Sequence, residues 1–204
     1  MRDFLLGVQS FKQSIYPTMR ARFEELADGQ QPDALFITCS DSRIDPARIT
    51  GSGPGDLFVI RNAGNIVGRS HQADLGVAAT IEYAVKALSV PQIIVCGHAK
   101  CGAMQGLLNP KAAAGLPEVG RWVSLATEAL EATDVAPQDD RLTQVIKANI
   151  RLQIRNLLTF SAVADAVEAG ELRLSGWLYD FLTGSVEVYC PETNQFVEPQ
   201  LDNV

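Results

Sequence analysis

Short apolar runs of strand length alternate along this chain with longer stretches whose apolar positions recur every three or four residues. Ala34–Thr38, Leu57–Ile60 and Pro91–Cys96 are such runs, rich in β-branched and aromatic residues, and each predicts a buried strand. Between the second and third, Leu75, Ala78, Ile81, Val85 and Leu88 form a helical stripe, and the stretch from Cys101 to Leu108 reads as a short helix ended by Asn109 and Pro110. Two more helices are expected from Leu116 to Leu130 and from Leu142 to Phe160, joined by an acidic, solvated loop from Ala132 to Asp140. Leu172–Tyr179 alternates as a strand should, and Ser185–Cys190 is expected to pair with it across a turn at Thr183 and Gly184. At the other end Phe4, Leu5, Val8, Phe11 and Ile15 recur at helical spacing. Pro17 lacks the N–H that a helix interior needs, so it predicts an interruption before a second stretch carrying Met19, Phe23 and Leu26.

Strand, helix, strand alternation followed by a hairpin predicts an α/β fold: a mostly parallel central β-sheet flanked by helices, with a C-terminal antiparallel edge strand. No repeat or linker divides it, so residues 29–204 are expected to be one catalytic domain and residues 1–28 a helical arm. That arm either lies on a neighbouring subunit or packs as an ordinary terminal helix. A chain of 204 residues with 47% hydrophobic content can bury a substantial core. Its formal charge of -7 argues against a nucleic-acid partner. No run approaches a membrane span, and Met1–Gly7 lacks the long apolar stretch of a signal peptide. A cytoplasmic location is therefore expected, where four irregularly spaced cysteines point to metal before disulfides.

Two of those cysteines and one of the two histidines stand in separated clusters, Cys39-Ser-Asp41-Ser-Arg43 and His98-Ala-Lys100-Cys101. Two thiolates and an imidazole without a fourth soft ligand describe an open zinc site, because structural zinc recruits four protein ligands and catalytic zinc keeps three. Cys39 is expected at the carboxyl end of the first strand, and His98 and Cys101 just past the end of the third, where open α/β sheets gather ligands. A helix starting at Cys101 would favour a thiolate there. Taken singly, each of the three is equally compatible with an inert buried side chain, and Cys96 reads as core packing. Asp41 lies close enough to Cys39 in sequence to compete for the metal, and Arg43 offers a bidentate guanidinium to hold it away and ionised. A capped turn with a surface arginine is the plainer alternative for that pair.

With Arg61-Asn-Ala-Gly-Asn65 between the two clusters and Gly176-Trp-Leu-Tyr-Asp180 downstream, the chain resembles the β-class carbonic anhydrases from about Gln30 to about Val188, most closely their plant and cyanobacterial branch. The resemblance implies one Zn2+ per chain and reversible hydration of CO2 to bicarbonate through zinc-bound hydroxide. Asp41 would then accept a hydrogen bond from the zinc-bound water, with Arg43 as its partner. It also implies a pocket lined by Gln30, Phe58 and Tyr83, with the Gly102 N–H near the metal, completed across the interface of a homodimer or a larger even-numbered assembly. On the residues alone, Gln30 is equally a loop polar group, Phe58 core packing and Tyr83 a helix-surface aromatic.

Some positions depart from the family or stay open. A bicarbonate-inhibited subset of bacterial members carries Trp, Arg and Tyr where this chain has Phe36, Arg61 and Tyr179, so the indole donor of that inhibitory site is missing. Lys100 is either an attractor for bicarbonate or a solvated cation, and His71 either a proton relay or a surface histidine. Gly51–Asp56 lacks the third glycine of a dinucleotide fingerprint and reads as a tight turn. Hydrolysis of carbonyl sulfide or carbon disulfide is an alternative use of the same zinc site. A zinc scaffold without turnover is another, but it would have no need of the Asp41 and Arg43 pair.

Overall fold

The computed structural model describes residues 4–111, 114–131 and 139–199. Its centre is a six-stranded sheet, formed by β1 (Ala34–Cys39), β2 (Leu57–Asn62), β3 (Gln92–His98), β4 (Arg173–Tyr179), β5 (Val186–Cys190) and β6 (Gln195–Val197). The spatial order is β2-β1-β3-β4-β5-β6. The first four strands are parallel, whereas β5 and β6 add antiparallel to that edge. β1 is buried throughout its length and β3 in all but Gln92. Both are covered on two faces, which is why they read as unbroken apolar runs without alternation.

Around the sheet lie α3 (Pro46–Thr50), α4 (Leu75–Glu82), α5 (Gly102–Leu108), α6 (Pro117–Val123), α7 (Arg141–Leu157) and α8 (Ser161–Glu168). The Asp74 carboxylate caps α4 through the N–H groups of Gly76 and Val77, and Asp140 caps α7 through Thr143 N–H. α7 packs across β3 and β4 over Gly97 and Gly176. A Cβ at either would come within 2.9 Å and 2.7 Å of Ile150 carbons, so the bare backbone sets how closely the helix approaches. The described part of the acidic loop is Asp139 and Asp140 together with Glu131 before it; the rest of that expectation, residues 132–138, lies outside the described residues.

Several boundaries differ from expectation. β1, β2 and β3 continue one or two residues past the apolar runs, to Cys39, Asn62 and His98, because the parallel ladder continues there. The expected helix over 116–130 is α6 followed by a 3-10 segment, Ser124–Leu130. The stripe from Leu142 to Phe160 is α7, which ends earlier, at Leu157; Phe160 stands extended, and α8 follows as a helix that the pattern did not predict. The short α3 and β6 carry too few apolar residues to be seen in the pattern.

The N-terminal segment corrects the reading of Pro17. α1 (Phe4–Ser10) runs through a π-helical turn, Phe11–Ile15, into α2 (Tyr16–Glu25), and Pro17 sits in the first turn of α2. The widened turn takes up the missing N–H, so the helical path continues where a break was expected. Neither helix buries a residue. Phe4, Leu6 and Val8 are 75%, 63% and 62% exposed. Arg22 ties α2 to the turn before β2, donating to Pro54 O at 3.2 Å and pairing with Asp56 at 3.1 Å. Among the described residues no helix is long and apolar enough to cross a membrane.

Candidate metal centre

β1 and β3 are hydrogen-bonded neighbours whose carboxyl ends lie side by side, and that adjacency brings Cys39 and His98 together. The chain then turns through Ala99 and Lys100, the latter at a left-handed φ of 55°, and enters α5 with Cys101 as its N-cap residue. Cys39 Sγ, Cys101 Sγ and a His98 ring nitrogen all lie within 4.8 Å of one another, and all three residues are buried.

The arrangement is fixed from several sides. His98 Nδ1 lies 2.8 Å from Ala99 O, and a carbonyl only accepts, so Nδ1 carries the proton and the Nε2 lone pair is left facing the sulfurs. Nε2 is buried and has no hydrogen-bond partner in the protein. A buried nitrogen of that kind beside two sulfurs fits a metal ligand. Gly64 N–H donates to Cys39 Sγ at 3.3 Å. The Arg61 guanidinium donates to Cys39 O, Asp41 O and Ile44 O at 3.1, 2.7 and 3.0 Å, clamping the turn that follows Cys39.

The two sulfurs share a proton unequally. Cys39 is lowered below an ordinary thiol, its contact with Cys101 outweighing burial and the Gly64 N–H adding to the effect. Cys101 moves the opposite way, raised by its contact with Cys39 and by burial, although the Ala103 and Met104 amides at the start of α5 pull it down. The helix effect expected at Cys101 is therefore present but outweighed by the neighbouring Cys39, because a second thiolate beside the first is disfavoured. A divalent cation held by both sulfurs would offset that penalty. Cys96, fully buried and pushed up to about 12 chiefly by burial, stays a thiol and is core.

Asp41 and Arg43 meet as a fork. Asp41 Oδ1 accepts from Arg43 N and Nε, both at 2.9 Å, and Oδ2 accepts from Nη2 at 2.7 Å. These bonds hold the Asp41 carboxyl well below the usual carboxylate range and raise the guanidinium in turn. Oδ2 lies 3.8 Å from His98 Nε2, at the edge of the ligand cluster. Arg43 also donates to Lys100 O at 3.2 Å and stacks its guanidinium 4.4 Å from the centre of the Phe181 ring. Sequence reasoning missed Phe181 and the clamping role of Arg61, since both act through contacts between distant segments; the Phe181 signal was its place directly after Gly176–Asp180.

The pocket residues fall elsewhere. Phe58 and Tyr83 pair with ring centres 6.0 Å apart, and Tyr83 is 51% exposed. Gln30 and Tyr83 line a concavity of about 590 Å³ together with Phe23, Leu26, Pro54 and Gly55, and none of Cys39, His98 or Cys101 is in its wall. Gly102, the first residue of α5, is exposed, with nothing within 4 Å of the position a Cβ would take. Lys100 and His71 are exposed, His71 in the turn before α4. Phe36 is fully buried with its ring edge on Trp177.

The chain matches the family described as carbonic anhydrase over residues 34–186. It is 43% identical to a carbonic anhydrase of Synechococcus elongatus over 191 residues, 91% of this chain and 70% of that one. A carbonic anhydrase of Pseudomonas aeruginosa is 42% identical over 200 residues, 97% of this chain and 91% of that one. Among solved structures, the β-carbonic anhydrase CcaA superposes with a TM-score of 0.89 at 41% identity, covering 96% of this chain and 97% of that one. A tetrameric β-carbonic anhydrase from Sordaria macrospora does so with 0.79 at 29% identity, covering 90% and 93%. A buried pair of sulfurs and a bare imidazole nitrogen at adjoining strand ends is what zinc requires, and with these likenesses the chain belongs to the β class of carbonic anhydrases, zinc enzymes that interconvert CO2 and bicarbonate.

Proposed function

We propose that Cys39, His98 and Cys101 hold the zinc, that Asp41 and Arg43 are the working dyad, and that the substrate slot is finished by a second copy of the chain. Zinc in such a site supplies a hydroxide nucleophile near neutral pH. The Arg43 fork holds the Asp41 carboxyl well below the usual carboxylate range, so near neutral pH it accepts hydrogen bonds. Its Oδ2 borders the ligand cluster, which suits it to take the proton side of a water and leave the oxygen lone pair facing CO2. Arg43 holds both carboxylate oxygens, and this restrains Asp41 from taking the ligand position that water needs.

The single observation that carries this reading is the fork itself. A surface ion pair would not be shared between two backbone contacts, an aromatic stack and the edge of a buried ligand set. The test is substitution: Asp41→Asn and Arg43→Ala should keep one zinc per chain while losing hydration activity. Near-normal turnover in either would return the pair to the role of a capped turn.

The slot reading rests on exposure. Gln30, Phe58 and Tyr83 cluster on a face that also carries the uncovered arm, and the Gly102 N–H is open to solvent. We take residues 1–28 as an arm that grips the partner and residues 29–204 as the catalytic unit of a cytoplasmic homodimer or larger even-numbered assembly. Sedimentation at assay concentration tests it, a fully active monomer being the opposing result.

A further inference from the structure

The loop from Asn62 to Val67 reaches the metal centre through one atom, the Gly64 N–H on Cys39 Sγ. Side chains hold this loop in place. Asn62 brackets its own turn, accepting from Ile66 N at 2.8 Å and donating to Ile66 O at 2.9 Å. Trp122 Nε1, from α6, donates to Ala63 O at 2.7 Å. Ala63 C=O and Gly64 N–H belong to one peptide group, so the indole holds the carbonyl end of the same unit whose N–H meets the sulfur. Such a chain of donors polarises along its length.

From the other side the loop meets α7, which presents Asn149, Gln153 and Asn156 at the spacing that keeps side chains on one helix face. All three are buried, at 1%, 0% and 3% exposure. Asn149 donates to Gly64 O at 3.0 Å and accepts from Gln153 Nε2 at 2.7 Å. Gln153 Oε1 accepts from Val67 N at 2.9 Å and from Asn156 Nδ2 at 3.2 Å, and Asn156 Nδ2 also donates to Val67 O at 2.7 Å. Apolar residues would fill a helix face against a sheet at lower desolvation cost, so three linked amides there call for a reason beyond packing. Both ends of their ladder land on the backbone of the loop whose Gly64 N–H meets Cys39 Sγ. Gly64 and Asn65 between them have positive φ of 81° and 48°, a conformation the ladder holds in place.

We infer that Asn149, Gln153 and Asn156, with Trp122 opposite, are positioning residues for the zinc centre: they fix the Gly64 N–H on the Cys39 sulfur and thereby set how strongly that sulfur donates to the metal. Hydrogen bonds to ligating sulfurs tune a metal site through the sulfur's electron density. This rests on the assignment of Cys39 as a ligand. Where the N–H withdraws, the sulfur lone pairs rise in energy and sulfur-to-metal charge transfer needs less energy.

The experiment is the absorption spectrum of the cobalt(II)-substituted enzyme. Asn149→Leu keeps the side-chain size and Trp122→Phe keeps an aromatic ring, and each removes one donor to the loop. Both should move the sulfur-to-cobalt band to longer wavelength with one cobalt still bound per chain. Leu152→Ala, a buried apolar truncation on α7, should leave the band where the wild type has it. If Asn149→Leu fails to fold, Asn149→Ser is read by the same criterion. An unchanged band in either folded, cobalt-loaded donor variant overturns the inference, as does an equal shift in Leu152→Ala. A wild-type spectrum without any sulfur band would instead overturn the ligand assignment beneath it.

Discussion

The carboxyl ends of β1 and β3 and the N-terminal face of the molecule are built to opposite rules. At the strand ends Cys39, His98 and Cys101 are buried together, and the His98 Nε2 beside the two sulfurs has no hydrogen-bond partner. Across the N-terminal face, α1 and α2 bury nothing and the Tyr83 ring, paired with a partly buried Phe58, stands half open. On the proposed reading, the metal-binding half of the chemistry is complete in one chain, whereas the half that would shape the substrate slot is presented outward. A single chain is thus expected to bind zinc well and to turn over CO2 poorly.

The largest effect should come from the closed half. Cys39→Ala or His98→Ala should abolish both zinc binding and hydration, as read by metal analysis and stopped-flow; retained stoichiometric zinc would break the ligand assignment. Asp41→Asn comes next, with zinc retained and turnover down by roughly 10²–10⁴, the usual range for a lost proton-handling group. Arg43→Ala should cost roughly 10–100-fold, as for groups that orient a metal site from one shell out. In the double variant the two losses should fall well short of multiplying, since both act on one carboxylate.

Removing the chain through Leu26 probes the open half. It should lower solubility and activity together and shift sedimentation toward the monomer, while zinc content stays at one per chain. Unchanged activity in a monomer would erase the contrast between the two regions.

The smallest effect concerns pH. Arg43 lowers the Asp41 carboxyl, so in Arg43→Ala that group should titrate at higher pH, back toward the ordinary value of about 3.9. A 13C carboxyl titration of the zinc enzyme reads this directly, and no movement would remove Arg43 as the cause. Since Asp41 is ionised far below neutrality, it cannot set the activity profile of the wild type above pH 6. Two thiolates cancel the formal charge of zinc and make it a weaker acid catalyst than a site of neutral histidines, so activity should climb between roughly pH 7 and 9. A flat profile from a folded, zinc-loaded protein would contradict that charge argument.

The strands, and the three side chains that β1, β3 and α5 bring together, were legible in the sequence, because burial on both faces leaves β1 and β3 as apolar runs and because cysteine and histidine are scarce enough to stand out. Pro17 misled, since a proline's local preference says nothing about a widened turn that absorbs it. The α7 stripe was read for its apolar residues alone. Asn149, Gln153 and Asn156 look in sequence like an exposed helix face, and only their burial reveals them as a ladder.

By itself, then, the sequence determined what is local or chemically rare: strand runs, helix stripes, and the pairing of Cys39-Ser-Asp41-Ser-Arg43 with His98-Ala-Lys100-Cys101. Tertiary structure decided that the two sulfurs meet, which carbonyls Arg61 clamps, that Phe181 supports Arg43, and that α7 reaches the Gly64 loop across 85 residues of sequence. The reason is physical. Periodicity reports one residue's exposure to a layer, whereas a hydrogen bond between distant segments depends on where two layers meet, and that is set by packing such as Ile150 over Gly97 and Gly176.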